Sequence, residues 1–326
     1  MFKYRALDDV KAIRVVVLTK GGYGDAIECR LVHTDRNAVY EALSYEWGLP
    51  SDDDPTITLD NCAFKIRKNL WEAFVQLRLP DLDRSLWIDA ICIDQANITE
   101  RNHQVNSMKF TYSDAQRVIV WLGPAANSSD YAMDTLADTR QLRHRIAEST
   151  DSQYAGLLAV LNRTYWRRVW IQQELYLARE AIFHCGSRAI SESAFFDSFD
   201  AIVPYHDNLM RPDPAAFVMM RHRKRDHTRN TLRGWLYLCL EQNLKCTEPR
   251  DLIYGMLGMS NDCQQQEIVP DYEKPMKDVF LETIKHCKNA TYSSGYSFVD
   301  FAKDLARRLS VSVDSQIEDQ VALIAR

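Results

Sequence analysis

Three apolar segments of this chain each end in residues that could hold or act on a ligand. The segments are residues 40–45, 86–93 and 117–122. The residues are Ser44, Tyr45, Trp47 and Gly48 at the end of the first segment and just after it, Asp94 and Gln95 after the second, and Trp121 near the end of the third. In open parallel sheets, ligands bind outside the carboxyl ends of the strands. These residues are therefore the first candidates for a binding site.

A tryptophan-rich segment, "TYWRRVWIQQELYLARE", carries the most informative single carboxylate. Its pattern predicts a helix over residues 166–178 with four side chains on one face and Glu174 at the edge: Trp166, Trp170, Gln173 and Leu177. A carboxylate beside indole rings is partly removed from water, which strengthens its electrostatic effect. Tryptophan faces also stack on planar or cationic rings. The alternative is a helix packed by its tryptophans in which Glu174 pairs with Arg167 or Arg168, and the residues alone favour it.

Other chemistry-bearing groups give weaker signals. Asp89 lies inside the apolar segment 86–93, and we expect it to be paired because an unpaired buried carboxylate is costly. His184 and Cys185 lack a second ligand pair at zinc spacing, so no metal site is predicted. The basic run 221–229 predicts a solvated helix face, with phosphate contact as the alternative.

Composition limits the class of protein. A chain of 326 residues predicts one large domain or two, and a net charge of −5 argues against a general nucleic-acid surface. Eight cysteines without a CxxC pair, most of them in apolar runs, predict reduced and buried thiols. We find neither a signal-peptide pattern nor an apolar run long enough for a membrane, so a cytoplasmic protein without a membrane partner is predicted. The end of the sequence lacks a closing element, which suggests a fragment of a longer protein.

The order of strand and helix patterns predicts an α/β fold. Residues 13–18 and 27–32 flank the glycine-rich "GGYGD" and predict an N-terminal β-hairpin. From residue 40 to residue 123 the patterns alternate between strand and helix, which predicts βαβ units and a mainly parallel sheet flanked by helices. The chain after about residue 190 is predicted to be mostly helical.

Several long motifs resemble the fungal heterokaryon-incompatibility (HET) domain. "YEALSYEWG", "LWIDAICIDQ", "ERNHQVNSM…YSDAQRVIVWLG" and "RRVWIQQEL" stand in the order and spacing of that family. "CTEPRDLIYGMLGM" and "IVPDY" resemble the segment that follows the domain in many such proteins. The predicted organisation is a β-hairpin extension at 1–37, the HET domain at 38–186 and a mostly helical region at 187–326.

The chain departs from the family pattern at two positions. The family's "CINQ" stands here as Cys92-Ile93-Asp94-Gln95, which adds a carboxylate beside the candidate site. The variable position of "SYxWG" holds Glu46. Because the family tolerates many residues at that position, Glu46 is not assigned a catalytic role.

The resemblance implies a domain that triggers regulated cell death after non-self recognition. HET domains look distantly like TIR domains, which have a flavodoxin-like fold, and catalytic TIR domains cleave the nicotinamide–ribose bond of NAD with a glutamate near a tryptophan. "WIQQEL" resembles that arrangement, which implies a catalytic role for Glu174 beside Trp170. NAD is then the substrate, no cofactor or metal is required, and the active form is a homo-oligomer. An upstream protein that senses non-self is a further implied partner.

The same resemblance suggests how the substrate is held. Trp47, Trp121 or Trp170 would stack on the nicotinamide or the adenine, and Arg101 or Gln104 would meet the pyrophosphate. The rest of the predicted substrate-binding set is Ser44, Tyr45, Gly48, Asp94, Gln95 and Gln173. The alternative is a non-enzymatic signalling module that acts by homotypic contacts, in which these motifs pack the core and cap helices.

Overall fold

The computed structural model describes residues 2–138, 140, 142–202, 230–265, 267–288 and 297–325, with no side-chain placement at 143, 146, 147 and 199–202. The described residues within 1–100, 110–166 and 178–213 form one compact unit, here called the sheet unit. Those within 101–109, 167–177 and 214–326 form a second, called the helical unit. The basic run 221–229 lies outside the described residues.

The strands of the sheet unit form a single sheet. They are β1 Ala12–Leu18, β2 Glu28–Asp35, β3 Glu41–Tyr45, β4 Thr56–Leu59, β5 Cys62–Lys65, β6 Arg84–Trp87, β7 Val118–Trp121, β8 Ala181–Cys185 and β9 Arg188–Ser191. Their order across the sheet is β5-β4-β2-β1-β6-β3-β7-β8-β9. Every residue of β7 is buried, as expected for a strand covered on both faces.

Helices connect and follow these strands. The first eight are α1 Lys68–Leu77, α2 Asp89–Cys92, α3 Ile98–Asp114, α4 Ser129–Ala137, α5 Leu142–Glu148, α6 Asp151–Leu161, α7 Trp170–Leu177 and α8 Glu192–Ile202. After the gap come α9 Leu232–Glu241, α10 Asp251–Leu257, α11 Met276–Cys287, α12 Phe298–Arg308 and α13 Ser315–Ala325. Within the described ranges, no helix has the length and apolar character that crossing a membrane requires.

The centre of the sheet is parallel and has a recognisable order. β6, β3, β7 and β8 are neighbours that run in the same direction. Numbered among themselves along the chain, they give the order 2-1-3-4 with which flavodoxin-like sheets begin. Antiparallel pairs join β1 to β2 and to β6, β4 to β5, and β8 to β9, so the whole sheet is mixed. The predicted α/β fold and the N-terminal β-hairpin are confirmed.

The segment 86–93 is not the single continuous strand that its apolar sequence predicts. β6 ends at Trp87, and Asp89–Cys92 form the short helix α2. The reason is local, because the Asp89 carboxylate accepts the Ala90 N–H at 2.7 Å and so favours a turn at this point. A short apolar run cannot by itself distinguish a buried strand from a buried helical turn. Asp94 and Gln95 consequently follow a helical turn and not a strand end.

The segment 166–178 is also not one helix. A 3₁₀ turn covers Thr164–Arg167, and α7 begins only at Trp170. Trp166 belongs to the core of the sheet unit, where its ring stacks on Phe183 at 5.8 Å and on Phe195 at 5.2 Å between centroids. Tertiary packing of this ring overrides the helical period, so the predicted face that joined Trp166 to Trp170 is wrong.

The helical unit confirms the mostly helical character predicted for the later part of the chain. The buried face of α11 consists of Val279, Phe280, Thr283, Ile284 and Cys287. Before α7, Arg168 pairs with Lys245 in an isolated parallel bridge. The Val169 N–H donates to the Lys245 carbonyl at 3.0 Å, which anchors the start of α7 within this unit.

Candidate functional site

Residues at the carboxyl ends of β3, β6 and β7 form a connected cluster in the sheet unit, here called the strand-end cluster. Since the three strands are parallel neighbours, their ends lie at one edge of the sheet. Ser44 and Tyr45 are buried there, and the Ser44 hydroxyl is 2.6 Å from the Tyr165 hydroxyl. Gly48 closes the turn with φ of +77°, a conformation that favours glycine. Two predicted site residues, Ser44 and Tyr45, are therefore buried beneath this edge.

Trp47 links two of the predicted segments directly. Its indole N–H lies 3.0 and 2.9 Å from the two carboxylate oxygens of Asp89. The side-chain amide of Gln95 donates to the Asp89 carbonyl at 2.9 Å. Asp89 is therefore paired, as its place in an apolar segment led us to expect.

Asn69 joins the other two strand ends. Its amide nitrogen donates to the Glu46 carbonyl at 2.5 Å, and its carbonyl oxygen accepts the Trp121 indole N–H at 2.9 Å. The Glu46 carboxylate accepts the Thr164 hydroxyl. The sequence patterns did not single out Asn69 or Thr164. The sequence did offer one indication for Asn69, which stands in α1 three residues after the buried Ile66. An amide side chain at such a position needs a hydrogen-bond partner.

The loop that carries Asp94 is fixed by a buried ion pair. Arg14 is 0% exposed and its two terminal nitrogens lie 2.6 and 2.9 Å from the Glu100 carboxylate oxygens. Arg14 also donates to the Cys92 carbonyl at 2.9 Å, and Glu100 accepts the Asp94 N–H at 2.7 Å. Asn97, not Asp94, caps α3. The candidate Asp94 thus takes its position from an arginine that the motif analysis missed.

Glu174 and Gln173 lie in the core of the helical unit. Their exposed fractions are 1% and 2%, and Gln104 on α3 is equally buried. A cavity of about 10 Å³ borders Gln173, which is room for about one water molecule. The side-chain oxygen of Gln173 packs closely against Gly258. A methyl group added at Gly258 would lie only 2.5 Å from this oxygen. In this conformation the α7 residues are packed and a nucleotide has no space at Gln173.

A second polar group of the helical unit contains two predicted site residues and two that were missed. The Trp170 side chain hydrogen-bonds to the Asp251 carboxylate. Asp251 also accepts the Tyr272 hydroxyl at 2.6 Å, and the Arg101 guanidinium lies 4.1 Å from the centroid of the Tyr272 ring. Trp170 and Arg101 are therefore joined through Asp251 and Tyr272. Both missed residues stand in the motifs "PRDLIYG" and "IVPDY", which supplied only a family resemblance.

Asp251 gives a pH-dependent prediction. Burial raises the pKa of its carboxyl from 3.8 to about 6, against the opposing hydrogen bonds from Tyr272 and Trp170. The folded state therefore binds this proton more tightly than the unfolded chain. The stabilisation is fully present below about pH 4 and is lost as the pH rises through about 6, by about 3 kcal/mol.

The measurement is the free energy of unfolding of the wild type and of Asp251→Asn across this range. We expect the advantage of the wild type over the variant to shrink as the pH rises from 4 to 7. A difference that is constant with pH, or one that grows, would contradict the assignment of this titration to Asp251.

Comparison with known proteins supports the family resemblance that the motifs suggested. The family model described as heterokaryon incompatibility protein (HET) matches residues 40–174. The chain is similar to heterokaryon incompatibility protein 6, OR allele, of Neurospora crassa, with 28% identity over 326 aligned positions. The alignment covers 76% of this chain and 47% of the relative, so the chain spans about half the length of the curated protein it matches. No solved structure matches this chain.

The matched residues 40–174 include the strand-end cluster and the start of α7 up to Glu174. The family match thus falls on the motifs that suggested the resemblance, and that prediction is confirmed. Residues 40–174 match the heterokaryon-incompatibility family model, which together with the similar Neurospora crassa protein supports the resemblance of this chain to HET-domain proteins.

Proposed function

We propose that this chain is a cytoplasmic effector of heterokaryon-incompatibility cell death. We propose further that it acts in a homo-oligomer, set off by a non-self sensor, by hydrolysing the nicotinamide–ribose bond of NAD or a related nucleotide. The matched family and the Neurospora crassa relative both bear the name heterokaryon incompatibility, which supports the first part. The second part rests on the residues of the two compact units and on the distant likeness to TIR domains.

The observation that carries the nucleotide proposal is the strand-end cluster. In sheets with the flavodoxin-like order, the ligand binds at the switch point between the first and third strands, which here are β3 and β7. Trp47, Asp89 and Gln95 stay partly accessible at this edge. Because Asp89 holds the indole N–H of Trp47, the ring is fixed before any ligand arrives, which lowers the entropic cost of stacking.

The proposed chemistry needs one carboxylate. The bond between C1′ of the ribose and the pyridinium nitrogen breaks, and its electron pair leaves with neutral nicotinamide. Water adds to C1′ and loses a proton, which yields ADP-ribose. The transition state resembles an oxocarbenium ion, and a carboxylate such as Glu174 stabilises that positive charge. Since Glu174 is buried, the proposal requires a conformation in which this side chain becomes accessible, and we assign that change to assembly.

A specific observation favours a second candidate function, a signalling module that acts by homotypic contact. Several predicted site residues are almost wholly buried, namely Ser44, Gln104, Trp121, Gln173 and Glu174. In a module without catalysis these side chains serve packing and helix capping alone. The two functions differ in the fate of NAD, which the signalling module leaves unchanged.

The direct test is product identification. Purified protein is incubated with NAD, with NADP and with nicotinamide mononucleotide, and the products are separated and weighed by mass spectrometry. Hydrolysis of NAD predicts nicotinamide and ADP-ribose in equal amounts. Unchanged nucleotides at protein concentrations that kill cells on expression would reject the hydrolase and leave the signalling module.

Trp47 supplies a prediction for substrate binding. Stacking of a base on an aromatic ring contributes about 1–3 kcal/mol, so Trp47→Ala should raise KM for NAD about tenfold or more with a smaller change in kcat. The matched control is Trp71→Ala, which removes a tryptophan of α1 that is 36% exposed and lies outside the cluster. Equal KM values for the two variants would exclude Trp47 from the nucleotide site.

A further inference from the structure

Three metal-ligating side chains converge in the helical unit, and none of them belongs to the set that the proposed reaction uses. Asp262 and Cys263 stand in the 3₁₀ turn Asn261–Cys263, and His286 stands in the last turn of α11. Their ligand atoms all lie within 4.8 Å of one another, and no other such group of histidine, cysteine and acidic side chains occurs among the described residues. The chemistry of the set is a thiol, an imidazole and a carboxylate.

The two distances from His286 Nε2 fit two edges of one face of a coordination tetrahedron. Cys263 Sγ is 3.4 Å from His286 Nε2, and His286 Nε2 is 3.4 Å from Asp262 Oδ2. Cys263 Sγ is 3.9 Å from Asp262 Oδ1. A tetrahedral zinc ion has ligand bonds of about 2.3 Å to sulfur and about 2.0–2.2 Å to nitrogen and oxygen, which separates neighbouring ligand atoms by about 3.3–3.6 Å.

The same geometry argues against a hydrogen-bonded relay. In a nucleophile–histidine–carboxylate triad the two partners bind different nitrogens of the imidazole. Here the thiol and the carboxylate both face Nε2 of His286. A single N–H can donate to only one of them, and 3.4 Å is long for an N–H···O bond. One imidazole nitrogen facing two other ligand atoms is the arrangement that a shared cation requires.

The surroundings orient the carboxylate and leave a path to solvent. Asp262 Oδ1 accepts the Leu232 N–H at 2.8 Å, which leaves Oδ2 directed towards His286. Such outer hydrogen bonds hold metal ligands in place. The side chains of His286 and Asp262 are 15% and 28% exposed, so an ion and a water molecule can reach the set.

We propose that Asp262, Cys263 and His286 bind a zinc ion, with water at the fourth position. A thiolate and an imidazole favour zinc over magnesium or calcium, which prefer oxygen ligands. The ion would tie the turn after α10 to the end of α11 and so stabilise the helical unit. The 23-residue separation of Cys263 and His286 explains why a search for paired zinc-ligand spacing did not find the site.

The test uses cobalt as a spectroscopic probe for zinc. The full chain is stripped with a chelator and titrated with Co²⁺. One equivalent should produce a sulfur-to-cobalt charge-transfer band and strong visible bands of a tetrahedral site, and one equivalent of Zn²⁺ should remove them. Cys263→Ser should lose the charge-transfer band and His286→Gln should lose tight binding. Cys246→Ser is the matched control, since this half-buried thiol lies outside the group, and it should behave as the wild type.

Thermal stability gives an independent reading. At a hundredfold excess over Kd, zinc should raise the Tm of the wild type and of Cys246→Ser by about 4 °C or more, and that of Cys263→Ser hardly at all. Absence of a sulfur-to-cobalt band in the folded wild type would overturn the proposal, and so would a full band in Cys263→Ser. If Cys263→Ser does not fold, the wild-type titration and His286→Gln decide the matter.

Discussion

Replacement of Glu174 by glutamine is expected to lower nicotinamide release at least about 100-fold while the chain stays folded. Loss of one preorganised group that stabilises transition-state charge typically costs about 10²–10³ in rate. Glutamine has nearly the same shape as glutamate but no negative charge. The carboxylate is 1% exposed in this structure, and its electrostatic effect in a dry site exceeds its effect in water. A loss confined to kcat would identify charge stabilisation and not substrate binding as its role.

The measurement is the steady-state rate of nicotinamide release for purified wild type and variant. Glu180→Gln is the matched control, because this exposed carboxylate follows α7 by three residues and takes no part in the proposal. Circular dichroism and Tm show whether Glu174→Gln keeps its fold. Activity of the folded variant within about threefold of the wild type would remove Glu174 from the reaction.

The ion pair between Arg14 and Glu100 should be the most sensitive position for stability in the sheet unit. We expect Glu100→Ala to lower the free energy of unfolding by about 3–5 kcal/mol, because it leaves the wholly buried Arg14 charge without a counter-ion. The remaining partners of Arg14 are the carbonyls of Cys92, at 2.9 Å, and Arg5, at 2.7 Å, the imidazole of His33, at 3.4 Å, and the ring of Tyr4. None of these groups carries a negative charge that would neutralise it. The variant should also loosen the loop at Asp94.

Denaturant unfolding measures this effect against an exposed pair. In the control, Glu72→Ala breaks a contact of 3.9 Å with Lys68, whose side chain is 78% exposed, and should cost less than about 0.5 kcal/mol. Burial raises the pKa of Glu100, but the hydrogen bonds from Arg14 and the Asp94 N–H outweigh it and hold the pKa below its ordinary value. The stabilisation is therefore present above that ordinary value and lost as the pH falls through the lowered one. Equal costs for the two variants would contradict the account.

The strands of the parallel core were predictable because their sequences are almost continuously apolar. When helices cover both faces of a sheet, a buried strand is the one plausible structure for the segments around β3 and β7. The turn at Asp89 was not predictable from periodicity, since eight apolar-rich residues suit a strand and a strand-plus-turn equally well. What decides between them is the Asp89 carboxylate, which accepts the Ala90 N–H and so favours the turn.

The candidate site was predictable in its residue types and less so in its connections. "SYEWG" and the Asp94–Gln95 pair stand at the expected edge, but Asn69, which joins Glu46 to Trp121, stands in a helix predicted for its apolar face alone. Arg14 is a charged residue inside the apolar run "IRVVVL", and the sequence patterns did not identify it as a candidate. A cation in a buried strand needs a buried anion, and Glu100 is that anion. Long-range pairs of this kind have no signature in local spacing.

The measurement that tests the central claim most directly is NAD turnover across a series of protein concentrations. Wild type and Glu174→Gln are assayed together, and the same pair is expressed in cells to score killing. The account predicts that nicotinamide release per protomer rises with concentration in the wild type, and that Glu174→Gln loses both turnover and killing. No turnover at any concentration, with killing intact in Glu174→Gln, would contradict it.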